Sequence, residues 1–226
     1  MSEDTLYAVI TGDLVRSSSV SHDDRSRLID TLNTAFQTLT GFPSLPSDFI
    51  AADFEIYRGD SFQGVLNYPE LALRAAIALR ATLRSRDGNS RNSLWDARLA
   101  VGIGGIAYLP ERVAEADGEA FRRSGPLLDQ LKGERRTAML SPWDEVNEEL
   151  KVECALFDTI TNRWSAQQAE VIILSQRGMT QQAIADQLGI TQGAVNHRLK
   201  AGNWSAVEIF VDRFESLIRQ QLKPTV

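Results

Sequence analysis

Phe54-Glu55-Ile56-Tyr57-Arg58-Gly59-Asp60-Ser61-Phe62-Gln63-Gly64-Val65-Leu66 consists of two β-rich runs separated by a Gly-Asp pair. Such a pattern reads as a β-hairpin, with Asp60 at or beside the tight turn. Upstream, Leu6-Tyr7-Ala8-Val9-Ile10 is an apolar run that ends at Gly12-Asp13. Between it and the hairpin, Leu28, Leu32, Ala35, Phe36 and Leu39 recur at helical spacing. Downstream, Pro69 to Arg84 is an alanine- and leucine-rich helix, and Trp95 to Val101 alternates towards a strand. The order is βαββαβ. After it come a helix over Glu119 to Leu131, disturbed by Gly125-Pro126, and a short strand over Arg136 to Leu140. A connecting helix over Pro142 to Thr159 follows, with Val146, Leu150 and Ala155 inward. Helices of this length would cover one face of a mostly antiparallel sheet. The expected class is α+β: a ferredoxin-like, or palm-like, core with the first strand central beside the hairpin.

A different pattern begins near Thr161, giving an expected division into residues 1–160 and 161–226. Ser165 and Gln168 form a capping box for the first helix of the second unit. Thr180 caps a helix carrying Ala183, Ile184 and Leu188 on one face, and Gly189 is placed to end it. Thr191 caps a second helix in which Ala194, Val195 and Leu199 face inward. Its outward set is Gln192, Asn196, His197 and Lys200. This is the layout of a helix-turn-helix, whose second helix enters the DNA major groove. Thr191 opens that helix beside the candidate DNA contacts, and its exposed amides and cations match base edges and phosphates. An ordinary helical corner shares the spacing. Beyond Trp204, the residues Val207, Phe210, Val211, Phe214, Leu217, Ile218 and Leu222 make one stripe of a long amphipathic helix. Its first half would cover the helix-turn-helix. Its second half would pack on the body or on a second copy, giving a homodimer.

The charge distribution agrees with two units. The chain of 226 residues has a net charge of −6, yet residues 161–226 carry seven Lys/Arg against five Asp/Glu. An acidic body with a mildly basic reader would bind double-stranded DNA weakly and with strong salt dependence, so two copies would help. No apolar run is long enough to span a bilayer, and no secretory signal precedes the first strand. A single cysteine, Cys154, excludes an internal disulfide and suits a packing role. Together these place the protein in the cytoplasm. Two histidines and one cysteine exclude a His/Cys metal cluster and a Ser-His-Asp site.

In the first domain, Asp13 ends one strand and Asp60 sits at the hairpin turn, so the two carboxylates are expected at one edge of the sheet. Two hard oxygen ligands with the backbone carbonyl of Leu14 would suit Mg²⁺ carrying a nucleotide's phosphates. Amides of the loop after it, at Ser17 and Ser18, with Arg16 and the turn at Gly59, would meet those phosphates. Gly12-Asp13 and Gly59-Asp60 equally suit plain turns. Gly102-x-Gly104-Gly105 lacks the third glycine of a dinucleotide fingerprint and reads as close backbone packing or a bulge.

Asp13 and the Gly59-Asp60 hairpin resemble the two metal-binding aspartates of class III nucleotidyl cyclases, and strand 98–103, Arg-Leu-Ala-Val-Gly-Ile, resembles one of their strands. A closer resemblance is to the SatD family of bacterial proteins. It rests on Val9-Ile10-Thr11-Gly12-Asp13-Leu14, Arg58-Gly59-Asp60-Ser61-Phe62-Gln63-Gly64-Val65, Val101-Gly102-Ile103-Gly104-Gly105-Ile106 and Ala116-Asp117-Gly118-Glu119-Ala120-Phe121. The C-terminal unit resembles the helix-turn-helix of sigma-factor-like and two-component-type regulators. The cyclase resemblance implies a metal at Asp13 and Asp60 and a nucleotide ligand. It also exposes departures. The base-selecting lysine falls near Ile56, and the asparagine and arginine that steady the transition state fall near Arg122 and Pro126. Pro126 donates no charge, while Arg122 could meet a phosphate from another position. Losing those donors argues against efficient phosphoryl chemistry, and no catalytic residue is assigned.

The expectation is a DNA-binding transcriptional regulator whose cyclase-like domain binds a nucleotide with Mg²⁺. The alternative is a metal-dependent nucleotidyl cyclase or nucleotide-processing enzyme whose C-terminal helices serve assembly.

Overall fold

The computed structural model describes residues 5–15, 22–40, 42–43, 45–86 and 95–223. The chain opens with β1 (Tyr7–Leu14) and α1 (His22–Thr40), then the hairpin β2 (Ile50–Arg58) and β3 (Ser61–Leu66). A single 3-10 turn, Pro69–Leu71, leads into α2 (Ala72–Ser85) and β4 (Ala97–Gly104). The short strands β5 (Ile106–Tyr108) and β6 (Asp117–Gly118) pair with each other, and α3 (Glu119–Gln130), β7 (Thr137–Leu140) and α4 (Asp144–Thr161) follow. Four helices complete the chain: α5 (Ala166–Gln176), α6 (Gln181–Leu188), α7 (Gln192–Ala201) and α8 (Trp204–Gln221).

The hairpin turns where its sequence requires. Arg58 pairs with Ser61, and Gly59 takes a φ of 57°, the left-handed region that a residue without Cβ enters at no steric cost. The five-stranded sheet has the order β2-β3-β1-β4-β7. β1 is central and antiparallel to both neighbours, as expected, while β7 runs parallel to β4. Side chains alternate across the strand. Ala8, Ile10 and Leu14 enter a core with Leu28, Leu32, Ala35 and Leu39 of α1 and the apolar residues of α2. Val9 points the other way, into a smaller cluster with Val65, Ile106, Val113 and Ala120.

Helices on one face are therefore half of the arrangement. α1 and α2 cover one face, but α3 lies on the opposite one. The glycines of β4 let it approach. A Cβ on Gly102 would stand 2.1 Å from the carbonyl oxygen of Ala120 and 2.7 Å from the amide of Ser124. Close backbone packing is thus the role of Gly102-x-Gly104, as its sequence suggested. α3 also continues through Gly125 and Pro126 rather than breaking there. In α4 the inward residues are Val146, Leu150, Cys154 and Phe157, with Ala155 only partly covered. The Cys154 thiol is buried and its pKa is driven upward by that burial, which leaves it inert packing material.

The alanine-rich helix α2 is enclosed on all sides. The sheet and α1 take one side, and α5 packs along another. A helix apolar all round must be buried, and α5 supplies the cover that the first domain lacks. Two arginines sit inside this layer. Arg80, 1% exposed, donates from Nε and Nη2 to the two carboxylate oxygens of Asp96 at 2.9 Å each, and from Nη1 to Asp158 at 3.2 Å. It also donates to Thr137, Thr161 and Asn162. Arg84 donates to Asp96 and to the backbone carbonyls of Asn162 and Trp164. These bonds join α2, the start of β4, β7, the end of α4 and the turn into α5. The division expected near Thr161 falls at the C-terminus of α4, inside this network.

Burial alone would raise the Asp96 carboxyl. The charges and hydrogen bonds of Arg80, with help from Arg84 and the amide of Ala97, outweigh it and hold the group below its ordinary value of 3.8. A depressed carboxylate stabilises the fold above its unfolded pKa, and that contribution is lost as pH falls through the folded value. Urea unfolding is therefore expected to show stability dropping below about pH 4, with Asp96→Asn flattening that acid limb. Arg80→Met removes the buried charge shared by Asp96 and Asp158, leaving Asp96 to Arg84 and Asp158 to Arg135 and two backbone amides, and should cost about 3–5 kcal/mol at neutral pH.

Candidate functional site

Two groups of residues follow from the sequence reading, and they lie in different units of the chain. The first is the face of α7. Thr180 accepts a hydrogen bond from the amide of Ala183 at 3.2 Å and caps α6. Gly189 closes α6 in the left-handed region, φ 64°. Thr191 then caps α7 by accepting from the amide of Ala194 at 3.1 Å. Each of these residues has the part its sequence position assigned. Ile184 and Ala185 of α6 and Val195 and Leu199 of α7 are buried. They pack beside α5, whose Ser165–Gln168 capping box is formed. Gln192, His197 and Lys200 are exposed and Asn196 partly so. Among the described residues, no hydrogen bond or ion pair engages those four side chains. Arg198, on the flank, reaches Glu170 of α5 at 3.6 Å. Thr191 is exposed, with its hydroxyl oxygen already used as a cap.

The orientation of this face is held from behind. Trp164 is buried, and its indole N–H donates to the carbonyl of Gly202 at 2.8 Å, tying the start of α5 to the end of α7. Asn203 follows in the left-handed region, φ 51°, and turns the chain into α8. The stripe on α8 is used within its own chain. Val207, Val211, Phe214, Leu217 and Ile218 are all buried, with Glu215 bonded to Arg74 and Arg219. Of the two roles expected for its second half, packing on the body is the one found.

The second group is at the C-terminal end of β1. The register pairs Asp13 with Ser61 on one side and with Arg98 on the other. The amide of Leu14 donates to the carbonyl of Asp60 at 3.2 Å, which ties the strand end to the hairpin turn. Asp13 and Asp60 thus share one end of the sheet. Leu14 itself buries its side chain in the main core. The sequence reading missed what holds Asp13. Arg98 donates to both of its carboxylate oxygens, Nε to Oδ1 at 2.8 Å and Nη2 to Oδ2 at 2.5 Å, and anchors on the carbonyl of Leu131. Burial pushes the Asp13 carboxyl above its ordinary value, Arg98 pulls it back, and the nearby charge of Asp60 adds to the rise.

That geometry is a test for Mg²⁺. Asp13 is held in a bidentate fork, and among the described residues no group of three or more His, Cys, Asp or Glu is placed to hold a metal. As arranged, the residues do not fit a divalent ion. Arg122 is not part of this end either. It pairs with Asp117 at 2.7 Å, both exposed, at the opposite end of α3 from the Leu131 carbonyl that anchors Arg98. Arg16, Ser17 and Ser18 lie outside the described residues. Gly59 lies in the turn with Asp60. Between the carboxylate end and the body of the sheet, Thr11 and Ser124 share a buried hydrogen bond of 2.8 Å, and Gln63 donates to Thr11 at 2.7 Å. Arg98 lies directly across from Asp13 in the β1–β4 register, which no local sequence signal sets.

No helix among the described residues is long and apolar enough to cross a membrane. No protein-family model matches the chain, and no curated protein matches it. Among solved structures, the chain is similar to the active GGEEF domain of a diguanylate cyclase from Vibrio cholerae, at 20% identity and a TM-score of 0.43, over 60% of this chain and 83% of that one.

Proposed function

We propose that the protein is a DNA-binding regulator: a ferredoxin-like, palm-type domain joined to a helix-turn-helix, acting as a dimer on double-stranded DNA. The observation that carries this reading is the open face of α7. Gln192, Asn196, His197 and Lys200 point away from the body, on a helix locked from behind by Val195, Leu199 and Trp164. A helix that served only as a structural corner would have no need to keep amides and cations together on its free side. The strand order β2-β3-β1-β4, with two helices on one face, supports the palm-type description of the first domain. The likeness to SatD chains belongs to the same proposal. A second copy is placed against the apolar face between α4 and α8, where Val152, Leu156 and Ile209 are exposed.

The second reading is a metal-dependent nucleotide enzyme. The observation in its favour is that Asp13 and Asp60 do share one sheet end. What opposes it is Arg98, which occupies Asp13, and the distance of Arg122 from that end.

Fluorescence anisotropy with duplex DNA at several salt concentrations tests the first reading. Lys200→Ala should weaken binding to every sequence and lower the salt slope by about 1, whereas Asn196→Ala should mainly relax sequence preference. Absence of any salt-dependent binding would sink it. For the second reading, the wild-type chain with ATP or GTP and Mg²⁺ or Mn²⁺ should give no robust cyclic nucleotide. Calorimetry should find Mg²⁺ binding weak, with Arg98→Gln strengthening it by tenfold or more if Asp13 is a latent ligand. Rapid turnover by the wild type would reverse the order of the two readings.

A further inference from the structure

The open apolar side chains of this fold are gathered on one face. Val152, Leu156 and Ile209 are 60%, 62% and 71% exposed, three of the five large apolar side chains left open among the described residues. Val152 and Leu156 belong to α4 and Ile209 to α8. The two helices run in opposite directions. Glu149 is held by Arg213, whereas Phe157, further along α4, meets Phe210, earlier on α8. A groove of about 410 Å³ lies between them, with Leu156, Ile160 and Ile209 among its apolar lining. An open patch of this kind marks a surface that something covers.

The pattern on α4 identifies the cover. Leu156 sits midway along a stripe, with Val152 and Ile160 four residues to either side and Glu149 and Arg163 seven. Four and seven residues are close to one and two turns of helix, so all five share a face. Arg163 falls just past the end of α4, where Asn162 still holds helical backbone. A two-fold axis crossing α4 at Leu156 maps this stripe onto itself in reverse. Leu156 then meets its own copy, Val152 meets Ile160 of the second copy, and Glu149 meets Arg163. Across the groove, Ile209 meets its own copy in the same way. Glu153 falls opposite Thr159 and Asp212 opposite Ala206, so neither carboxylate meets a like charge. Arg163 is exposed and engaged by no ion pair among the described residues, and the Glu149 side chain is still 33% exposed beside Arg213.

We propose that this face is a self-complementary dimer interface, in which α4 packs antiparallel on α4 of a second copy and α8 on α8. Helices in contact lie about 8–10 Å apart, near enough for such side chains to interleave. A foreign helix or an apolar small molecule would fill the groove, but neither accounts for Val152, which lies outside it, or for the unengaged Arg163. The arrangement deepens the dimer of the regulator reading and rests on that reading for its consequence. Gly202 and Asn203 alone separate α7 from α8, so fixing two copies of α8 about one axis also fixes the ends of two copies of α7.

Sedimentation equilibrium of the full chain, without DNA, tests the interface apart from the regulator reading. A chain that dimerises yet ignores DNA sinks only that reading, and one that binds DNA as a monomer sinks only the interface. The expected mass at micromolar concentration is twice the 25.1 kDa of one chain. Leu156→Lys changes an exposed side chain, so it should leave the far-UV circular dichroism unaltered and halve the mass. Arg163→Glu sets two like-charged pairs across the axis and should weaken the dimer about tenfold. Under mild oxidation Leu156→Cys should give a covalent dimer, because a disulfide needs Cα atoms within about 7 Å and residues on the axis meet that limit. Lys151→Cys, on the other side of α4, should not, and the native Cys154 is buried and takes no part. A monomeric wild type, a dimer that survives Leu156→Lys, an Arg163→Glu dimer as tight as wild type, or failure of Leu156→Cys to cross-link would overturn the proposal.

Discussion

A guanidinium buried with its carboxylates is the interaction on which the rest of this structure depends. Removing Arg80 and Asp96 from water carries a large desolvation cost, which is offset only where nearly every donor and acceptor is met. Here it is met by five residues from three stretches of the chain, the start of β4, β7 and the end of α4. Asp96 supplies two oxygens, Asp158 a third, and Thr137, Thr161 and Asn162 the remainder. The Asp158 carboxylate also accepts the amides of Arg136 and Thr137, which fixes the entry into β7. No one of these segments can move without leaving a buried polar group unpaired. Burial lowers the pKa of Arg84 and still leaves it a cation that bridges Asp96 to the carbonyl of Trp164. The network therefore acts as a register key. It states where α4 ends, where the C-terminal helices begin, and which side of α2 they cover.

What could be read from the chain and what could not divides along the range of the interactions. The hairpin, the capping of α5, α6 and α7, and the end of α6 at Gly189 are all decided within a few residues. Ser165, Thr180 and Thr191 each bond an amide three positions on. Such signals are local chemistry and survive without knowledge of the fold. Arg80 and Arg84 gave no local signal. Two arginines four apart in an alanine-rich helix look like a solvated stripe, and their burial follows only from α5 lying across α2. The side on which α3 packs was also hidden. It depends on Gly102 facing Ala120, a contact between two elements whose separation in sequence says nothing about their approach.

The sheet end shows the same limit in a functional setting. Spacing correctly brought Asp13 and Asp60 to one end, because strand ends and hairpin turns are local features. It said nothing of Arg98, because the partner of Asp13 is set by the register of β1 with β4. A half-buried carboxylate whose pKa is raised by burial is costly to leave alone. The bidentate arginine answers that cost within the chain, where the resemblance implied an ion. The fork also leans on the carbonyl of Leu131, just past the end of α3, so the helix on the second face helps to hold Arg98 against Asp13.

The direction in which α7 points follows from the same packing. α2 is buried on every side, and the cover it lacks from the first domain comes from α5. With α5 laid along α2, the bond from Trp164 to Gly202 fixes the far end of α7. Val195 and Leu199 are then the residues that must face inward, and on a helix that choice also decides what faces out. Gln192, His197 and Lys200 are turned away from an acidic first domain that would otherwise compete for the lysine. The outward face of α7 is thus a consequence of the alanine surface on α2, far earlier in the chain. A bulky residue on the α5 side of α2 would tilt α5 and carry α7 with it, without touching any residue of the exposed face.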